Sequence, residues 1–473
     1  MFNPAQIQRI YFIGIGGIGM SAIAKYFHER GTIVSGYDKT PTVLTRGMER
    51  EGIFIHYEDN IELIDKQAQL VIYTPAIPQD HTELLFYKVN NYTLLKRSEV
   101  LGIITEGALS ICIAGTHGKT TISTMIAHIL RDSGYGCNAF LGGISVNYET
   151  NFWSSRKKVC VVEADEYDRS FLKLNPDIAV ISSMDPDHLE IYGDEKGMQQ
   201  GFIDFSGRII SGGLLVSKYG LQRSGDLKGT THMRYSLQNE AADAYATNIT
   251  MINGSYCFDV MQSDWVVDKV VLNMGGMHNV ENAVAAITVA HYLKIGNDSI
   301  KKALGNFKGI KRRFEYIIAP SGSVDWSFNK RKYNSDIIFI DDYAHHPQEL
   351  RALINGAKSL FSNRKCTIIF QPHLFSRTRD LATEFAASLD LADEVILLPV
   401  YPARELPIEG VTSAMIFGKM KLGNKFILTK SEMLLWISSK QNIELLITAG
   451  AGDIDQLIEP IHKLIREKDK NNG

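Results

Sequence analysis

The sequence predicts an α/β protein with three domains, of which the first and the last are Rossmann-like and the central one has a mostly parallel sheet. Three observations predict this fold. The chain has 473 residues, which is too many for one hydrophobic core. Short apolar segments typical of buried strands alternate with helical segments along most of the chain. Glycine-rich turns follow two of these strands, at 14–19 and 115–118.

The composition excludes several kinds of protein. With 50 basic and 53 acidic residues the formal net charge is −3, so the chain has no excess of positive charge for holding a nucleic acid. The five cysteines form no Cys-x-x-Cys pair, which favours reduced thiols. The start of the chain lacks a signal-peptide pattern, and no apolar segment approaches the ~20 residues of a membrane helix. We therefore expect a cytoplasmic protein with neither nucleic-acid nor membrane partners.

The predicted N-terminal domain, residues 1–107, begins with a glycine loop between a strand and a helix. The strand at 9–13 leads into four glycines, Gly14, Gly16, Gly17 and Gly19. Such a loop lets the backbone approach a diphosphate closely, and an acidic residue about twenty positions later, here Asp38, can contact a ribose. A nicotinamide dinucleotide and a UDP-sugar both carry a ribosyl diphosphate, so the loop alone leaves both ligands open.

The predicted central domain, residues 108–315, begins with a strand at 111–114 that leads into a second glycine loop. The loop consists of Gly115, Thr116, His117, Gly118, Lys119, Thr120 and Thr121. Its N–H groups and the N-terminus of the following helix form a site for phosphate. Lys119 would neutralise the β- and γ-phosphates of ATP, and the Thr120 hydroxyl would coordinate Mg²⁺. The standard spacing requires glycine where Ile113 stands, so we predict a P-loop ATPase-type domain with a shortened loop.

Acidic residues follow the next strands of the central domain. Glu163 comes directly after the strand at 158–162, at a sheet edge where it can meet the phosphate loop, and is our first candidate metal ligand. We assign Asp165, Glu166 and Asp168 mainly to a helix N-terminus, which favours negative charge. His188 follows the strand at 178–182 and is a second candidate ligand, although a lone histidine is more often structural.

The rest of the central domain carries fewer signals. Residues 212–272 are expected to form a peripheral antiparallel element without chemistry. A helical segment follows from 275. Asn279 within it either pairs with an adenine edge or caps the helix.

The predicted C-terminal domain, residues 316–473, has polar residues after four of its strands. The strand at 337–340 is followed by Asp341, Asp342, Tyr343, His345 and His346. Polar residues also follow the strands at 366–370, 394–398 and 443–448. Because the carboxyl ends of parallel strands share one edge of a sheet, we expect these residues to line one crevice. Residues 319–335 are expected to be an insertion.

Taken together, the motifs of this chain resemble those of the Mur ligase family. The likeness covers nearly the whole chain, and the order of the motifs is more specific than any one of them. The matching segments are 14–20, 115–121, 163–166, 187–188, 278–282, 312–315, 342–347 and 371–373. The shortened phosphate loop, which departs from the generic motif, is similar to the loop of this family.

The resemblance implies an ATP-dependent amide ligase of peptidoglycan synthesis that uses ATP and Mg²⁺. The implied substrates are UDP-N-acetylmuramate and L-alanine, joined through an acyl phosphate. The first domain would bind the UDP-sugar, with Gly14, Gly16, Gly17, Gly19 and Asp38 as the contacting residues. A monomer or a homodimer is expected.

The resemblance also implies roles for individual residues. The ATP site would comprise the loop 115–121 together with His278, Asn282, Arg313 and Asp342. The metal ligands would be Thr120, Glu163 and His188. The incoming amino acid would contact Tyr343, His345 and Arg377, and the catalytic residues would be Lys119, His345 and Arg377.

Three other functions stay open from the sequence. A nicotinamide-dependent oxidoreductase would explain the loop at 14–19, but neither the phosphate loop nor the acidic residues. A nucleotide-regulated binding protein would hydrolyse ATP without forming a bond. The third is a related ligase that adds a tripeptide to the same UDP-sugar in cell-wall recycling. Leu374 and Arg404 keep it open, because they stand where the family pattern often has arginine and glycine.

Overall fold

The computed structural model describes residues 6–187, 189–252, 254–262, 265–320, 337–403 and 405–471. They form three sheets with helices between the strands. The chain divides into two compact units. Unit 1 comprises residues 1–247, 260–267 and 281–303, and unit 2 comprises residues 248–259, 268–280 and 304–473.

The N-terminal sheet lies in unit 1 and is entirely parallel. Its strands are β1 (Arg9–Ile13), β2 (Ile33–Tyr37), β3 (Phe54–His56), β4 (Leu70–Tyr73) and β5 (Leu94–Lys96), in the order β3-β2-β1-β4-β5. Its helices are α1 (Ile18–His28), α2 (Val43–Arg50), α3 (Thr82–Val89) and α4 (Arg97–Thr105). Successive strand residues point to opposite faces, and in β1 Ile10 and Phe12 join one apolar cluster while Tyr11 and Ile13 join another. The sheet is therefore buried on both faces, as a Rossmann-like fold requires.

The described residues place ten strands in the central sheet. They are β6 (Leu109–Ala114), β7 (Asn138–Ser145), β8 (Thr150–Trp153), β9 (Val159–Glu163), β10 (Ile178–Ile181), β11 (Leu214–Lys218), β12 (Thr231–Ser236), β13 (Ala244–Ile252), β14 (Ser255–Gln262) and β15 (Trp265–Leu272). Their order is β15-β14-β13-β12-β11-β10-β6-β9-β7-β8. The helices are α5 (Lys119–Asp132), α6 (Leu189–Tyr192), α7 (Glu195–Ser206), α8 (Met277–Tyr292) and α9 (Asn297–Asn306).

Most pairs in this sheet are parallel, and β8 pairs with β7 in the antiparallel direction. The expected antiparallel element at 212–272 is wrong for its first three strands, because β11, β12 and β13 pair in parallel. Short strands and polar turns suggested a meander, whereas these strands extend the parallel sheet beyond β10. The carboxyl ends of β6, β9 and β10 are adjacent, which positions the loops that follow them.

The third sheet lies in unit 2. Its strands are β16 (Glu315–Ile318), β17 (Ile338–Asp342), β18 (Cys366–Phe370), β19 (Glu394–Leu397), β20 (Lys425–Ile427) and β21 (Leu445–Ala449), in the order β16-β17-β21-β18-β19-β20. Among the described pairs of this sheet, only that between β16 and β17 is antiparallel. The helices are α10 (Pro347–Leu360), α11 (Phe375–Asp380), α12 (Ala382–Leu389), α13 (Ala414–Lys419), α14 (Lys430–Ser439) and α15 (Ile458–Asn471). Alternate residues of β17 enter two apolar clusters, so this sheet is also covered on both faces.

The three sheets confirm the predicted α/β fold and the mostly parallel central sheet. The predicted domain limits at 107/108 and 315/316 stay predictions, as does the insertion, since residues 321–336 lie outside the described residues. Within the described part of the chain, no helix combines the length and the apolar composition needed to cross a bilayer.

Candidate active site

The phosphate loop joins β6 to α5 through two left-handed glycines. Gly115 has a φ of 136° and Gly118 a φ of 84°, a backbone region that favours glycine. Gly118 precedes the first residue of α5, and no described side chain caps this helix end. The strand, the glycine turn and the start of the helix thus lie where the sequence predicted them, and the role of this helix end in phosphate binding stays a prediction.

Two serines after β10 hold the phosphate loop in shape. The Ser183 hydroxyl accepts a hydrogen bond from the His117 N–H at 2.7 Å and lies 2.8 Å from the Thr116 hydroxyl. The Ser182 hydroxyl donates to the carbonyl of His117. Sequence reasoning missed both serines, although Ile181 pairs in register with Ala114 and places them next to the loop.

Lys119 makes a buried ion pair with Glu166. Its amine donates to Glu166 Oε1 at 2.6 Å and to the carbonyl of Gly115 at 2.7 Å. Glu166 is 1% exposed, and burial raises the pKa of its carboxyl while the Lys119 charge opposes that shift. The Tyr192 hydroxyl donates to the Glu166 carbonyl at 2.6 Å and fixes this backbone.

Glu166 lies at a helix N-terminus, as predicted, but its side chain does not cap that helix. The residues after it form a short 3-10 helix, Tyr167–Lys173, interrupted by Asp168 and Arg169 at φ values of 53°. The carboxylate of Glu166 points to Lys119 rather than to a helix end. The acidic residues therefore differ in role, and the sequence pattern did not separate them.

Thr120 and Glu163 present oxygen atoms beside the loop. The Thr120 hydroxyl donates to Glu163 Oε1 at 3.1 Å, and the Gly142 N–H donates to Glu163 Oε2 at 3.0 Å. Mg²⁺ prefers oxygen ligands and usually takes one or two carboxylates together with substrate phosphates. The two oxygens of Thr120 and Glu163 are of the kind that fits such an ion. Among the described residues, no group of three or more acidic, histidine or cysteine side chains is placed to hold a metal ion. His188 lies outside the described residues.

Asn282 extends this site from α8. A Cβ added to Gly118 would lie 2.9 Å from Asn282 Oδ1, so the amide is adjacent to the loop. The neighbouring Glu281 accepts from Leu237 N–H at 3.2 Å and pairs with Lys218 at 2.9 Å, which fixes this part of α8.

Three other residues predicted for the ATP site differ in their surroundings. Thr121 is buried within α5, and the His117 side chain is 72% exposed. His278 belongs to unit 2, where its ring lies against Gly276.

The first glycine loop brings its predicted residues together in unit 1. Gly14 has a φ of 87°, and its N–H donates to the carbonyl of Tyr37 at 2.8 Å. The Gly16 N–H donates to Asp38 Oδ2 at 2.7 Å. Gly17 precedes α1, whose end is capped by no described side chain. The loop thus lies between a strand and a helix, with an acidic residue after the second strand, and its assignment to a diphosphate stays a prediction.

The end of β17 in unit 2 carries a partly buried carboxylate, that of Asp342. Asp342 accepts from the N–H groups of Phe314 and Ala344, each at 2.7 Å. Burial raises the pKa of Asp342 to about 7, and the charge of Arg313 opposes that rise. Arg313 and Asp342, both predicted for the ATP site, are therefore neighbours. Asp341 is instead structural, since it bonds Thr448 at 2.6 Å and Arg312 at 3.3 Å.

The residues predicted for the amino acid also gather in unit 2. The Tyr343 and His345 rings are 5.2 Å apart, and the His345 and His373 rings are 6.0 Å apart. Burial lowers the pKa of His345, and the charge of Arg377 adds to that shift. Arg377 Nη1 is buried and has no hydrogen-bond partner among the described residues. A guanidinium with a free nitrogen beside an imidazole suits a small ligand that carries a carboxylate.

Leu374 begins the helix that carries Arg377. Its φ of 70° is unusual for a residue with a side chain, and its N–H donates to the Tyr401 carbonyl at 3.0 Å. This hydrogen bond fixes the start of α11. Arg404, the other departure noted in the sequence, lies outside the described residues.

Comparison with known proteins covers almost the whole chain. Three family models match it: "Mur ligase family, catalytic domain" at residues 9–108, "Mur ligase middle domain" at 113–290, and "Mur ligase, glutamate ligase domain" at 328–454. A UDP-N-acetylmuramate–L-alanine ligase of Cytophaga hutchinsonii is 45% identical over 100% of both chains. A ligase of the same name from Phocaeicola vulgatus is 42% identical over 98% of this chain and 99% of its own.

Solved structures agree with these matches. The UDP-N-acetylmuramate-alanine ligase of Thermotoga maritima superposes with a TM-score of 0.81 at 27% identity, over 98% of this chain and 100% of its own. A murein peptide ligase of Psychrobacter arcticus gives a TM-score of 0.65 at 22% identity, over 98% and 99% of the two chains. The second likeness concerns the fold alone.

Proposed function

The chain belongs to the Mur ligase family, and from this premise we propose that it joins L-alanine to the lactoyl carboxylate of UDP-N-acetylmuramate, with conversion of ATP to ADP and phosphate. The observation that carries this proposal is the whole-length identity of 45% and 42% to ligases of that name. The product is UDP-N-acetylmuramoyl-L-alanine. The reaction belongs to peptidoglycan synthesis, and we place it in the cytoplasm.

In the first half-reaction an oxygen of the substrate carboxylate attacks the γ-phosphorus of ATP, and the bond to the β-γ bridging oxygen breaks. This forms an acyl phosphate and ADP, and it depends mainly on position and charge stabilisation. We assign the phosphate contacts to the loop 115–121, with Lys119 as the residue that stabilises the growing charge. The adenosine contacts are assigned to His278, Asn282, Arg313 and Asp342.

Thr120 and Glu163 are the described residues that would hold Mg²⁺, with His188 as a further proposed ligand. The support is that two possible ligand atoms, the Thr120 hydroxyl oxygen and Glu163 Oε1, lie 3.1 Å apart beside the phosphate loop. When bound, the ion would neutralise part of the charge on the phosphates. The chain's own contribution is to fix the two oxygens, since Gly142 also holds the Glu163 carboxylate.

In the second half-reaction the amine of L-alanine attacks the acyl carbon, and phosphate leaves. We assign the alanine carboxylate to Arg377 and the contacts around the amine to Tyr343 and His345. His345 is the proposed base, because burial lowers its pKa and keeps the imidazole neutral. A neutral imidazole can accept the proton that the amine loses.

The UDP-sugar is assigned to the first glycine loop, with Gly14, Gly16, Gly17, Gly19 and Asp38. This replaces the nicotinamide alternative, which the matches to Mur ligase models do not favour. The tripeptide ligase is likewise not favoured, because the relatives at 45% and 42% identity are named for alanine. Whether the enzyme is a monomer or a homodimer stays a prediction.

The test is phosphate release from ATP with UDP-N-acetylmuramate and a panel of amine substrates. We expect rapid release with L-alanine, and slow release with the tripeptide L-alanyl-γ-D-glutamyl-meso-diaminopimelate. Faster release with the tripeptide would contradict the proposed substrate. ATP turnover that is independent of both the UDP-sugar and alanine would instead indicate an ATPase that forms no bond.

A further inference from the structure

Arg97 is a cation in contact with the first glycine loop, and the sequence motifs did not single it out. It is the first residue of α4, directly after β5. A Cβ added to Gly19 would lie 2.6 Å from Arg97 Nη1 and 3.3 Å from its Cζ. The guanidinium therefore occupies the space that the missing side chain of Gly19 leaves open.

Asp165 holds the other edge of the same guanidinium. Arg97 Nη2 donates to Asp165 Oδ2 at 3.1 Å, and Asp165 Oδ1 accepts from the Tyr167 N–H at 3.0 Å. The Arg97 side chain is 21% exposed and that of Asp165 is 39% exposed. Arg97 is thus oriented by a fixed carboxylate, while part of its surface remains open to a ligand.

The glycine loop needs such a cation if its ligand is a diphosphate. Residues 14–19 are Gly-Ile-Gly-Gly-Ile-Gly, which supply N–H groups but no charged side chain. The described carboxylate that contacts the loop, Asp38, already accepts from Gly16 and carries the wrong sign for a phosphate. A guanidinium binds phosphate oxygens through parallel hydrogen bonds and neutralises part of their charge.

We propose that Arg97 binds the diphosphate of the UDP-sugar and that Asp165 is its positioning residue. This rests on the proposed function, which assigns the glycine loop to the UDP-sugar. Asp165 is followed by Glu166, the partner of Lys119. Through Asp165, Arg97 therefore also connects the first glycine loop to the segment whose Glu166 holds Lys119 of the phosphate loop.

The test measures binding of UDP-N-acetylmuramate by calorimetry to the full chain, without ATP or alanine. We expect Arg97→Ala to weaken binding about 100-fold, as when one partner of a charged pair is removed. Arg97→Lys should recover about tenfold of this loss, because it restores charge without the bidentate geometry. Asp165→Asn should weaken binding about fivefold, since it loosens Arg97 but removes no ligand contact. Affinity for ATP should change less than threefold in all three variants.

Lys96 provides a matched control. It is adjacent to Arg97 and pairs with Asp168 at 3.5 Å, with side chains 43% and 41% exposed. Lys96→Ala should bind the UDP-sugar as the parent does, which separates the role of Arg97 from general loss of surface charge. Thermal unfolding should show all variants folded.

Two results would overturn the inference while leaving the proposed function intact. One is parent-like affinity of folded Arg97→Ala for the UDP-sugar. The other is an equal loss of UDP-sugar and ATP affinity in both Arg97→Ala and Arg97→Lys, which would make Arg97 structural. If the parent itself failed to bind UDP-N-acetylmuramate, the proposed function would fail and the inference with it.

Discussion

Lys119 Nζ lies 2.6 Å from Glu166 Oε1 and forms a shielded ion pair with it in unit 1. The second oxygen, Glu166 Oε2, is buried and has no hydrogen-bond partner among the described residues. Together with the bond from Lys119 to the Gly115 carbonyl, the pair fixes the position of the lysine amine beside the phosphate loop. A cation held in place in this way is preorganised for the charge that grows during phosphoryl transfer.

The first prediction separates the two half-reactions. His345→Ala and Arg377→Ala should still form the acyl phosphate, because neither residue is assigned to ATP or to the UDP-sugar. The KM for L-alanine should rise about tenfold or more and amide formation should fall. Trapping with hydroxylamine measures the intermediate in the absence of alanine. Loss of trapping in folded variants would show that these residues serve the first step.

The second prediction concerns the metal. Glu163→Ala should remove turnover at all Mg²⁺ concentrations, because it deletes a carboxylate ligand beside the phosphate loop. Asp168→Ala is the control, since Asp168 pairs only with the exposed Lys96 in the described structure. It should keep most of the activity. Phosphate-release assays across Mg²⁺ concentrations compare the two, and parent-like activity of Glu163→Ala would contradict the assignment.

The third prediction uses the two glycines at the ends of α5. Gly118 and Gly134 have φ values of 84° and 78°, so alanine at either position costs about 1–2 kcal/mol of backbone strain. A Cβ at Gly118 also meets Asn282, whereas a Cβ at Gly134 has no described neighbour within 4 Å. Gly118→Ala should therefore lose ATP affinity and Gly134→Ala should not. Equal ATP binding by the two variants in calorimetry would count against the loop geometry.

The fourth prediction is a dependence of stability on pH from Glu83 in unit 1. This carboxyl is fully buried, bonds the Tyr11 hydroxyl at 2.7 Å, and has its pKa raised by burial to about 7. A raised pKa stabilises the folded protein below the unfolded value of 4.5, and this contribution is lost as pH rises through about 7. The parent should therefore lose this contribution to its free energy of unfolding when the pH is raised from 5 to 8, whereas Glu83→Gln should not. The stability of the variant relative to the parent should thus rise by roughly 2 kcal/mol over this range.

Unfolding of parent and variant at the two pH values measures this difference. The comparison between proteins is needed because burial also raises the pKa values of Asp341 and Asp342 to about 7. Their contributions cancel between parent and variant. Glu62→Gln, at a side chain that is 74% exposed, should show no such gain. An equal pH dependence in parent and Glu83→Gln would refute the role of Glu83.

The glycine loops could be predicted because their requirements are local. Gly14, Gly115 and Gly118 adopt left-handed or otherwise restricted conformations, and a loop between a strand and a helix is visible in a few consecutive residues. The ends of β9 and β17 were predictable for the same reason. Parallel strands bring the polar residues that follow them to one edge.

Contacts between distant residues could not be predicted. Glu166 is 47 positions from Lys119, and Asp165 is 68 positions from Arg97. A run of acidic residues has the same composition whether it caps a helix or pairs with a lysine. The fold decides which carboxylate reaches which partner. The parallel direction of β12 and β13 was missed for the same reason, since pairing direction depends on neighbouring strands and not on local composition.

The measurement that tests the central claim most directly follows an isotope. UDP-N-acetylmuramate labelled with ¹⁸O in its lactoyl carboxylate is incubated with ATP, Mg²⁺ and L-alanine, and the phosphate and the product are analysed by mass spectrometry. We predict one ¹⁸O atom in each phosphate released and one alanine joined by an amide bond. Lys119→Ala should slow labelled phosphate release by a factor of order 10³. Unlabelled phosphate, or release without an amide product, would contradict the proposed ligase reaction.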